Sequence, residues 1–273
     1  DKFNIEEASK ITGVTQEAIR NAALLLTKSG NCYIICGKDI EENPLAEDAI
    51  RALMNLCALL NPAYRGDAGS GKVSLFFSRS HNNSQGVNDV GVVPGFFPGY
   101  VNINDASNKE KIEKSWGVKF PDAILKKDSE NVIDLALNSK LKALYIMGEN
   151  LVVNYPNGKK IKEACKKIDF IVVQDTFLTE TAQLADVVLP AATFAEKEGT
   201  FTNMGMTVQR LNKAIKPVGD AKPDWQIICS LAQKMGHACS YVSTKEILTE
   251  IESISPVYAG INYDRLRRKE FHW

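Results

Sequence analysis

The chain has 273 residues, and its 33 lysine and arginine residues are balanced by 33 aspartate and glutamate residues. This zero net charge argues against a general nucleic-acid binder and against a protein that adheres to acidic membranes, because there is no overall surplus of positive charge to neutralise phosphates. Hydrophobic residues make up 44% of the chain and charged residues 24%, which is typical of a globular protein and excludes a disordered or fibrous one.

The chain begins Asp1-Lys2-Phe3, without an initiator methionine and without the pattern of a signal peptide. We therefore expect an internal fragment of a longer polypeptide. No apolar run approaches the roughly 18 residues that cross a bilayer, so we expect no direct membrane insertion. The six cysteines form no Cys-x-x-Cys pair, which favours buried, reduced thiols in a cytoplasmic protein and no metal site within this chain.

The first part of the chain alternates helices with short apolar runs. The pattern predicts two helices within residues 4–29, the second capped by Thr15, and a further helix over 45–60. The continuous apolar run at 31–37 predicts a strand buried on both faces, and 73–77 predicts another strand. This alternation indicates an α/β fold with parallel, Rossmann-like sheets and helices on both faces.

A glycine-rich stretch at residues 66–72 matches a phosphate-binding loop as far as its lysine. Such a loop needs a strand before it and a helix after it, so that backbone amides and the helix N-terminus face the phosphate. A predicted strand follows here, so we interpret the stretch as a connector. The Gly-x-Gly-x-x-Gly fingerprint of dinucleotide-binding domains is also absent from the sequence.

A long irregular segment follows at residues 78–108, rich in polar residues, glycine and proline. Loops of this length inside a globular chain are usually functional or interfacial. Within it, Arg79 is suited to hold a small anion and His81 to relay a proton. The alternative is that both are ordinary surface or capping residues.

A second α/β block contains apolar runs at 143–147, 170–173 and 187–189, separated by predicted helices. Ligands of open parallel sheets bind at the carboxyl ends of the strands, so the segments after these runs are the candidate binding loops.

Polar side chains follow the first two of these strands. Gly148 permits close approach of the backbone to a ligand, and Glu149 and Asn150 carry polar groups beside it. The carboxylate of Asp175 can accept hydrogen bonds from a guanine-like edge or a ribose diol, and the hydroxyl of Thr179 suits a phosphate. The alternative is a pair of ordinary turns in which aspartate and threonine act as caps. The residues alone leave both interpretations open.

The last part of the chain has a different pattern of predicted elements. Residues 200–217 predict extended strands and turns, and amphipathic helices are predicted over 224–235 and 244–251. The predicted division is therefore a first α/β lobe over 1–81, a second α/β lobe with the binding loops over 82–220, and a C-terminal helical and loop segment over 221–273.

Several motifs in a fixed order give the chain a family resemblance. The segments at 174–190 (Gln-Asp-Thr-Phe-Leu-Thr-Glu-Thr-Ala-Gln-Leu-Ala-Asp-Val-Val-Leu-Pro) and 196–203 (Glu-Lys-Glu-Gly-Thr-Phe-Thr-Asn) resemble the molybdopterin oxidoreductases. Within that family the chain is most similar to the formate dehydrogenase alpha subunit and to the family's member in NADH-quinone oxidoreductase (NADH dehydrogenase). Shorter motifs that fit the same pattern lie at 82–86, 89–91, 98–100, 147–150 and 223–225. The resemblance covers essentially the whole chain.

The resemblance implies the middle domains of a formate dehydrogenase-like fold. It implies a molybdenum or tungsten ion held by two molybdopterin guanine dinucleotides between α/β domains, with iron–sulfur clusters only in upstream parts of the parent protein. Asp175 matches the position that recognises guanine, and Arg79 resembles the active-site arginine of formate dehydrogenases. The residues implied to help hold one dinucleotide are Gly148, Glu149, Asn150, Gln174, Asp175, Thr176 and Thr179.

The implied reaction of the parent is the two-electron oxidation of formate to carbon dioxide, with the fragment alone inactive. Its partners would be the remaining domains of the parent chain and electron-transfer subunits. Two departures keep an alternative open: Arg79-Ser80-His81 stands where formate dehydrogenases usually carry Arg-Gly-Gln, and residues 88–91 are closer to the NADH-quinone oxidoreductase member. That alternative is a non-catalytic scaffold or electron-transfer subunit with a degenerate pterin site. A third interpretation is a free-standing nucleotide-binding module.

Overall fold

The computed structural model describes residues 4–41, 43, 45–61, 73–79, 81–120, 131–268 and 271–272. The connector predicted at 66–72 lies outside the described residues. The chain forms two compact units, Asp1–Ser84 and Gln85–Trp273. The three-part division expected from the sequence stays a prediction.

The first unit consists of helices joined to a pair of parallel strands. Helix α2 begins where the sequence predicts, because the Thr15 hydroxyl accepts a hydrogen bond from the Ala18 amide at 3.2 Å. Strand β1 pairs in parallel with β2, with Cys32 opposite Val73. The elements are α1 (Ile5–Thr12), α2 (Gln16–Lys28), β1 (Cys32–Cys36), α3 (Lys38–Glu41), α4 (Ala46–Leu60) and β2 (Val73–Phe77).

Only one face of β1 is buried. Cys32 and Cys36 point into the core, whereas Tyr33 is 68% exposed and Ile35 is 64% exposed. The expectation that this strand is buried on both faces is therefore wrong in this structure. The cause is the two-residue period of a strand, which sends alternate side chains to a face that the described residues leave uncovered.

Among its described residues, the second unit contains two three-stranded sheets and one two-stranded pair (Phe96–Phe97 with Val101–Asn102), with helices around them. Its elements are α5 (Ser84–Asp89, which begins at the end of the first unit), β3 (Phe96–Phe97), β4 (Val101–Asn102), α6 (Ala106–Trp116), α7 (Val132–Leu137), β5 (Ala143–Met147), α8 (Leu151–Asn154), α9 (Gly158–Cys165), β6 (Phe170–Asp175), β7 (Val187–Pro190), β8 (Gly199–Thr202), β9 (Thr207–Leu211), α10 (Asp224–Lys234), α11 (Thr244–Ile254), α12 (Tyr263–Arg268) and β10 (Phe271–His272).

The central sheet of this unit has the order β5-β6-β7 and is parallel throughout. Helices α7 and α9 pack against it and bury a cluster of small and branched side chains. Ile161 of α9 is 2% exposed, and Val173 of β6 is fully buried. The predicted α/β fold with parallel sheets is confirmed.

The later part of the unit forms an antiparallel sheet in the order β10-β9-β8. Its core joins Val208 of β9 to residues of the predicted C-terminal segment, among them Leu248, Tyr258 and Ile261. Residues of 221–273 thus pack together with the β9 strand of the same unit. Within the part of the chain that the structure describes, no helix combines the length and the apolar character that a membrane crossing requires.

Candidate functional site

The two loops predicted to bind a ligand lie side by side at the carboxyl edge of the central sheet. Met147, the last residue of β5, is paired with Gln174 near the end of β6. The Gly148 amide donates a hydrogen bond to the Gln174 carbonyl at 2.9 Å, so the first loop leaves its strand still attached to the second. This adjacency follows from the parallel order, since all strands of such a sheet end at one edge.

Side-chain hydrogen bonds then join the two loops. Asn150 Nδ2 donates to Glu180 Oε2 at 2.7 Å, and its Oδ1 accepts from the Thr181 hydroxyl at 2.8 Å. The Thr181 Oγ1 accepts in turn from the Val152 amide at 3.1 Å. Thr181 is fully buried. Because buried polar groups that lose a partner are costly, these bonds fix the spacing of the loops.

Asp175 is the last residue of β6 and is half-buried. One carboxylate oxygen, Oδ1, accepts from the backbone amides of Thr176 and Phe177, at 2.7 and 3.3 Å. Among the described residues, no group bonds its second oxygen, Oδ2. The two amide bonds orient the carboxylate and leave one strong acceptor available to a ligand.

Gly148 leaves open space at the start of the first loop. Its φ of +61° lies in the left-handed region, which glycine adopts without strain. A Cβ built on it would meet no atom within 4 Å among the described residues. A ligand can therefore approach the backbone closely at this position.

Three further predicted residues border these groups. Thr176 is exposed, and Thr179 is half-buried with its Oγ1 accepting from the Ala182 amide at 3.2 Å. Glu149 accepts from Asn154 Nδ2 at 2.7 Å, which holds its carboxylate against the short helix α8. Both threonine hydroxyls have the chemistry to donate to a phosphate oxygen.

Gln174 has a supporting position beneath the site. It is 1% exposed, its Oε1 accepts from the Tyr145 hydroxyl, and its Nε2 donates to Asp224 Oδ1 at 2.7 Å. Lys197 forms an ion pair with the other oxygen of Asp224. Burial raises the pKa of Tyr145, and the Asp224 carboxylate adds to the shift. The network ties β5 and β6 to the start of α10.

The edge of the site carries a carboxylate with a perturbed pKa. The hydrogen bond from Asn150 lowers the pKa of Glu180 below its usual value of 4.5, and backbone bonding contributes further. Glu180 therefore stays ionised at neutral pH and keeps its bond to the first loop.

The structure separates the predicted residues into two groups. Arg79 and His81 belong to the unit Asp1–Ser84, just beyond β2, and both are exposed. The His81 carbonyl accepts from the amide and hydroxyl of Ser84, at 3.3 and 2.7 Å, where α5 begins. The other seven predicted residues lie in the second unit, at one edge of one sheet. Cofactor contact by each of the nine stays a prediction.

Sequence reasoning missed the residues that support the site. Glu180 and Thr181 stand inside the motif at 174–190, so their loop was identified but their role was not. Asp224 belongs to the motif at 223–225, yet no local pattern connects it with Gln174, 50 residues away. Tyr145 lies within the apolar run of β5, and nothing in the sequence around it indicates that its hydroxyl bonds to Gln174.

A family model described as molybdopterin oxidoreductase matches residues 11–234. A putative formate dehydrogenase of Staphylococcus haemolyticus is 38% identical over 265 residues, covering 97% of this chain and 26% of that protein. The F420-dependent formate dehydrogenase subunit alpha of Methanocaldococcus jannaschii is 40% identical over 280 residues, covering 100% of this chain and 39% of that protein. Among solved structures, acetylene hydratase from Pelobacter acetylenicus aligns with a TM-score of 0.42 and 21% identity, covering 61% of this chain and 24% of that one.

Proposed function

The chain belongs to the molybdopterin oxidoreductase family, and from this premise we propose that its second unit forms part of the binding site for a molybdopterin guanine dinucleotide in a formate dehydrogenase-like enzyme. The observation that carries the proposal is the pair of cross-linked loops at one sheet edge, with the Asp175 carboxylate oriented between strand and loop. The chain spans 26% and 39% of the two curated relatives, so the catalytic activity belongs to a larger assembly.

Asp175 is proposed to recognise the guanine base. The edge of guanine presents neighbouring N–H donors, and an ionised carboxylate only accepts. Oδ1 is held by two backbone amides, so Oδ2 accepts from guanine without first having to be ordered. Hydrogen bonds to a charged group contribute about 1.5 to 3 kcal/mol, enough to select guanine over a base that presents an acceptor at that edge.

The remaining loop residues suit the ribose and phosphate parts of such a ligand. Gly148 offers open space beside the backbone, where a side chain would obstruct a large ligand. The hydroxyls of Thr176 and Thr179 are donors for phosphate oxygens, and Glu149 offers an acceptor for ribose hydroxyls. Asn150 and Gln174 support the site indirectly, because their side chains bond to other protein groups and hold the two loops and strands at a fixed spacing.

When bound, a cofactor of this kind supplies a molybdenum or tungsten ion that accepts the two electrons released as formate becomes carbon dioxide. The chain's own contribution is to bind and orient. Arg79 carries a planar guanidinium suited to the carboxylate of formate, and the imidazole of His81 has the chemistry of a proton relay. The Arg79 contact rests on the family resemblance and on the exposure of its side chain. The His81 contact rests on its imidazole and its exposure, because His81 stands where formate dehydrogenases usually carry glutamine.

A scaffold role like that of the NADH-quinone oxidoreductase member is the second candidate. It is favoured by the internal bonding of Asn150 and Gln174, whose side chains are engaged by protein groups and not turned to a ligand. A degenerate site would keep such supporting bonds while it loses the ligand.

The intact protein that carries this chain tests the two candidates. Its molybdenum, tungsten and guanosine monophosphate content after acid hydrolysis would be measured together with formate oxidation by a dye acceptor. The enzyme proposal predicts metal and nucleotide in proportion to protein, and formate-dependent reduction of the dye. Nucleotide without formate oxidation would support the site but reject the substrate. Absence of metal and nucleotide from the folded protein would reject the proposal in favour of the scaffold.

Electron transfer through iron–sulfur clusters in other parts of the parent, and through separate subunits, belongs to the same proposal. So does a cytoplasmic location, which is supported by six cysteines that are all free thiols.

A further inference from the structure

A pair of cysteines lies in contact outside the candidate binding site. The sulfur atoms of Cys229 and Cys239 are 2.8 Å apart. Two non-bonded carbon atoms prefer a separation of about 3.5 to 4.0 Å, and sulfur is larger than carbon, so these two sulfur atoms are closer than an ordinary non-bonded contact. A disulfide bond is about 2.05 Å long, so the two atoms need to approach by less than about 1 Å to bond.

The surrounding backbone holds this approach in place. Cys229 lies on α10, and the chain turns back along that helix after its end. The His237 amide donates to the Ala232 carbonyl at 2.9 Å, and Gln233 Nε2 donates to the Cys239 carbonyl at 2.6 Å. The segment that carries Cys239 is therefore fastened to α10 on the side of Cys229.

The two thiols differ in accessibility. Cys229 is 8% exposed, whereas Cys239 is half-buried. Both border a cavity of about 340 Å³ that is also lined by Trp225, Gln233 and Tyr241. Cys239 borders a second, larger cavity between α6 and α11 as well. A soluble oxidant therefore reaches the sulfur of Cys239 first.

We propose that Cys229 and Cys239 form a reversible disulfide with oxidants of the disulfide class, such as oxidised glutathione, which makes the pair a redox modification site. The Cys239 thiolate attacks one sulfur of oxidised glutathione, the S–S bond breaks, and one glutathione thiolate leaves and takes up a proton. Cys229 then loses its proton, attacks the Cys239 sulfur and expels the second glutathione. Two cysteine thiols become one disulfide, and the two electrons and two protons end on two molecules of glutathione.

Burial, together with the adjacent Cys239, raises the pKa of the Cys229 thiol. A raised pKa means that little thiolate is present near neutral pH, so Cys229 suits the second, intramolecular step, in which proximity compensates for low thiolate content. The rate of ring closure is then expected to rise with pH.

The test uses the intact protein, reduced and then incubated without oxygen in buffers of increasing oxidised-to-reduced glutathione ratio. After the remaining thiols are alkylated, digestion and mass spectrometry without reductant identify linked peptides. The expected result is a peptide pair joined through Cys229 and Cys239, at least about tenfold more abundant than any other cysteine pair and reversed by reduced glutathione. Full alkylation of both cysteines at the most oxidising ratio would overturn the proposal.

Two variants separate the steps. Cys229→Ser is expected to collect glutathione on Cys239 as a stable mixed disulfide, whereas Cys239→Ser leaves Cys229 unmodified. Cys165→Ser, which removes a buried thiol of α9, is the matched control and should leave the cross-link unchanged. Mixed disulfide on Cys229 in place of Cys239 would contradict the proposed order of attack. Circular dichroism of each variant checks that it folds, and Cys→Ala replacements serve where serine does not.

Discussion

The two parallel sheets that the structure describes, β1-β2 and β5-β6-β7, arise from the same sequence pattern but differ in how their faces are covered. The sheet β5-β6-β7 is packed against α7 and α9 around a core of fully buried residues such as Val173. The sheet β1-β2 buries Cys32 and Cys36 but exposes Tyr33 and Ile35 on its other face. Apolar strands alternating with helices thus predict the fold, whereas the burial of each face depends on which covering elements the chain supplies.

The same contrast holds at the carboxyl ends of the strands. Beyond β5 and β6, the loops are joined by buried hydrogen bonds through Asn150 and Thr181. Beyond β2, Arg79 and His81 are exposed. The loops beyond β5 and β6 are therefore held at a fixed spacing by protein groups, whereas the side chains beyond β2 are open to solvent.

The largest expected effect is on the free energy of unfolding, when a side chain is truncated in each of the two sheets. Ile161→Ala should lower the free energy of unfolding by about 2 to 5 kcal/mol, because it leaves a cavity in the core. Ile35→Ala removes an exposed side chain and should change it by less than about 0.5 kcal/mol. Denaturant unfolding followed by far-ultraviolet circular dichroism measures both variants, because both units contain helices, whereas Trp116 and Trp225 belong to the second unit alone.

The Ile35→Ala variant also tests whether another part of the parent protein covers the exposed face of β1. An Ile35→Ala effect that is small in the isolated chain and large in the intact protein would show that another part of the parent covers β1. Equal losses for both substitutions in the isolated chain would contradict the contrast between the sheets.

A smaller effect is expected at the link between the loops. Thr181→Val removes a buried hydroxyl and leaves the Val152 amide without its acceptor, at a cost of about 1 to 3 kcal/mol. Thr176→Val, at an exposed threonine of the same loop, should change stability by less than about 0.5 kcal/mol. Urea denaturation compares the two, and an equal effect would mean that the loops are not held by this bond.

The smallest effect concerns pH. The folded-state pKa of Glu180 is depressed, so its contribution to stability is present above its unfolded pKa near 4.5 and is lost as the pH falls through the folded value. Glu180→Gln keeps a partner for Asn150 but cannot titrate, so it should reduce the loss of stability below about pH 4.5. Thermal melting over that pH range measures the difference. Identical pH profiles for the two proteins would show that Glu180 makes no pH-dependent contribution.

Sequence patterns located most elements but not their contacts. Strand β5 has the predicted bounds because apolar residues fill it, whereas β6 extends beyond the predicted 170–173 to Asp175. Gln174 and Asp175 are polar but still pair through their backbones with Met147 and Pro190, which hydrophobicity does not reveal. The helix predicted between the apolar runs at 170–173 and 187–189 is only a short 3-10 turn, Ala182–Leu184, because the residues before it form the loop.

The sequence predicts where the candidate site lies, but it does not predict the hydrogen bonds that support it. Its two loops follow from the rule that parallel strands end at one edge. The burial of Gln174 against Asp224 depends on tertiary folding over 50 residues, which periodicity and spacing do not encode.

The proposed function depends most on the Asp175 carboxylate, which is proposed to hold a guanine nucleotide at the carboxyl end of β6. Asp169 precedes the same strand at its opposite end and is 67% exposed, so Asp169→Ala is a matched control for Asp175→Ala. The measurement is the guanosine monophosphate that acid hydrolysis releases, per mole of purified intact protein, after gel filtration. Asp175→Ala should retain clearly less nucleotide than the wild type, because the loss of about 1.5 to 3 kcal/mol weakens binding by roughly tenfold to 150-fold, while Asp169→Ala retains the wild-type amount. Wild-type nucleotide content in Asp175→Ala, or an equal loss in Asp169→Ala, would contradict the claim.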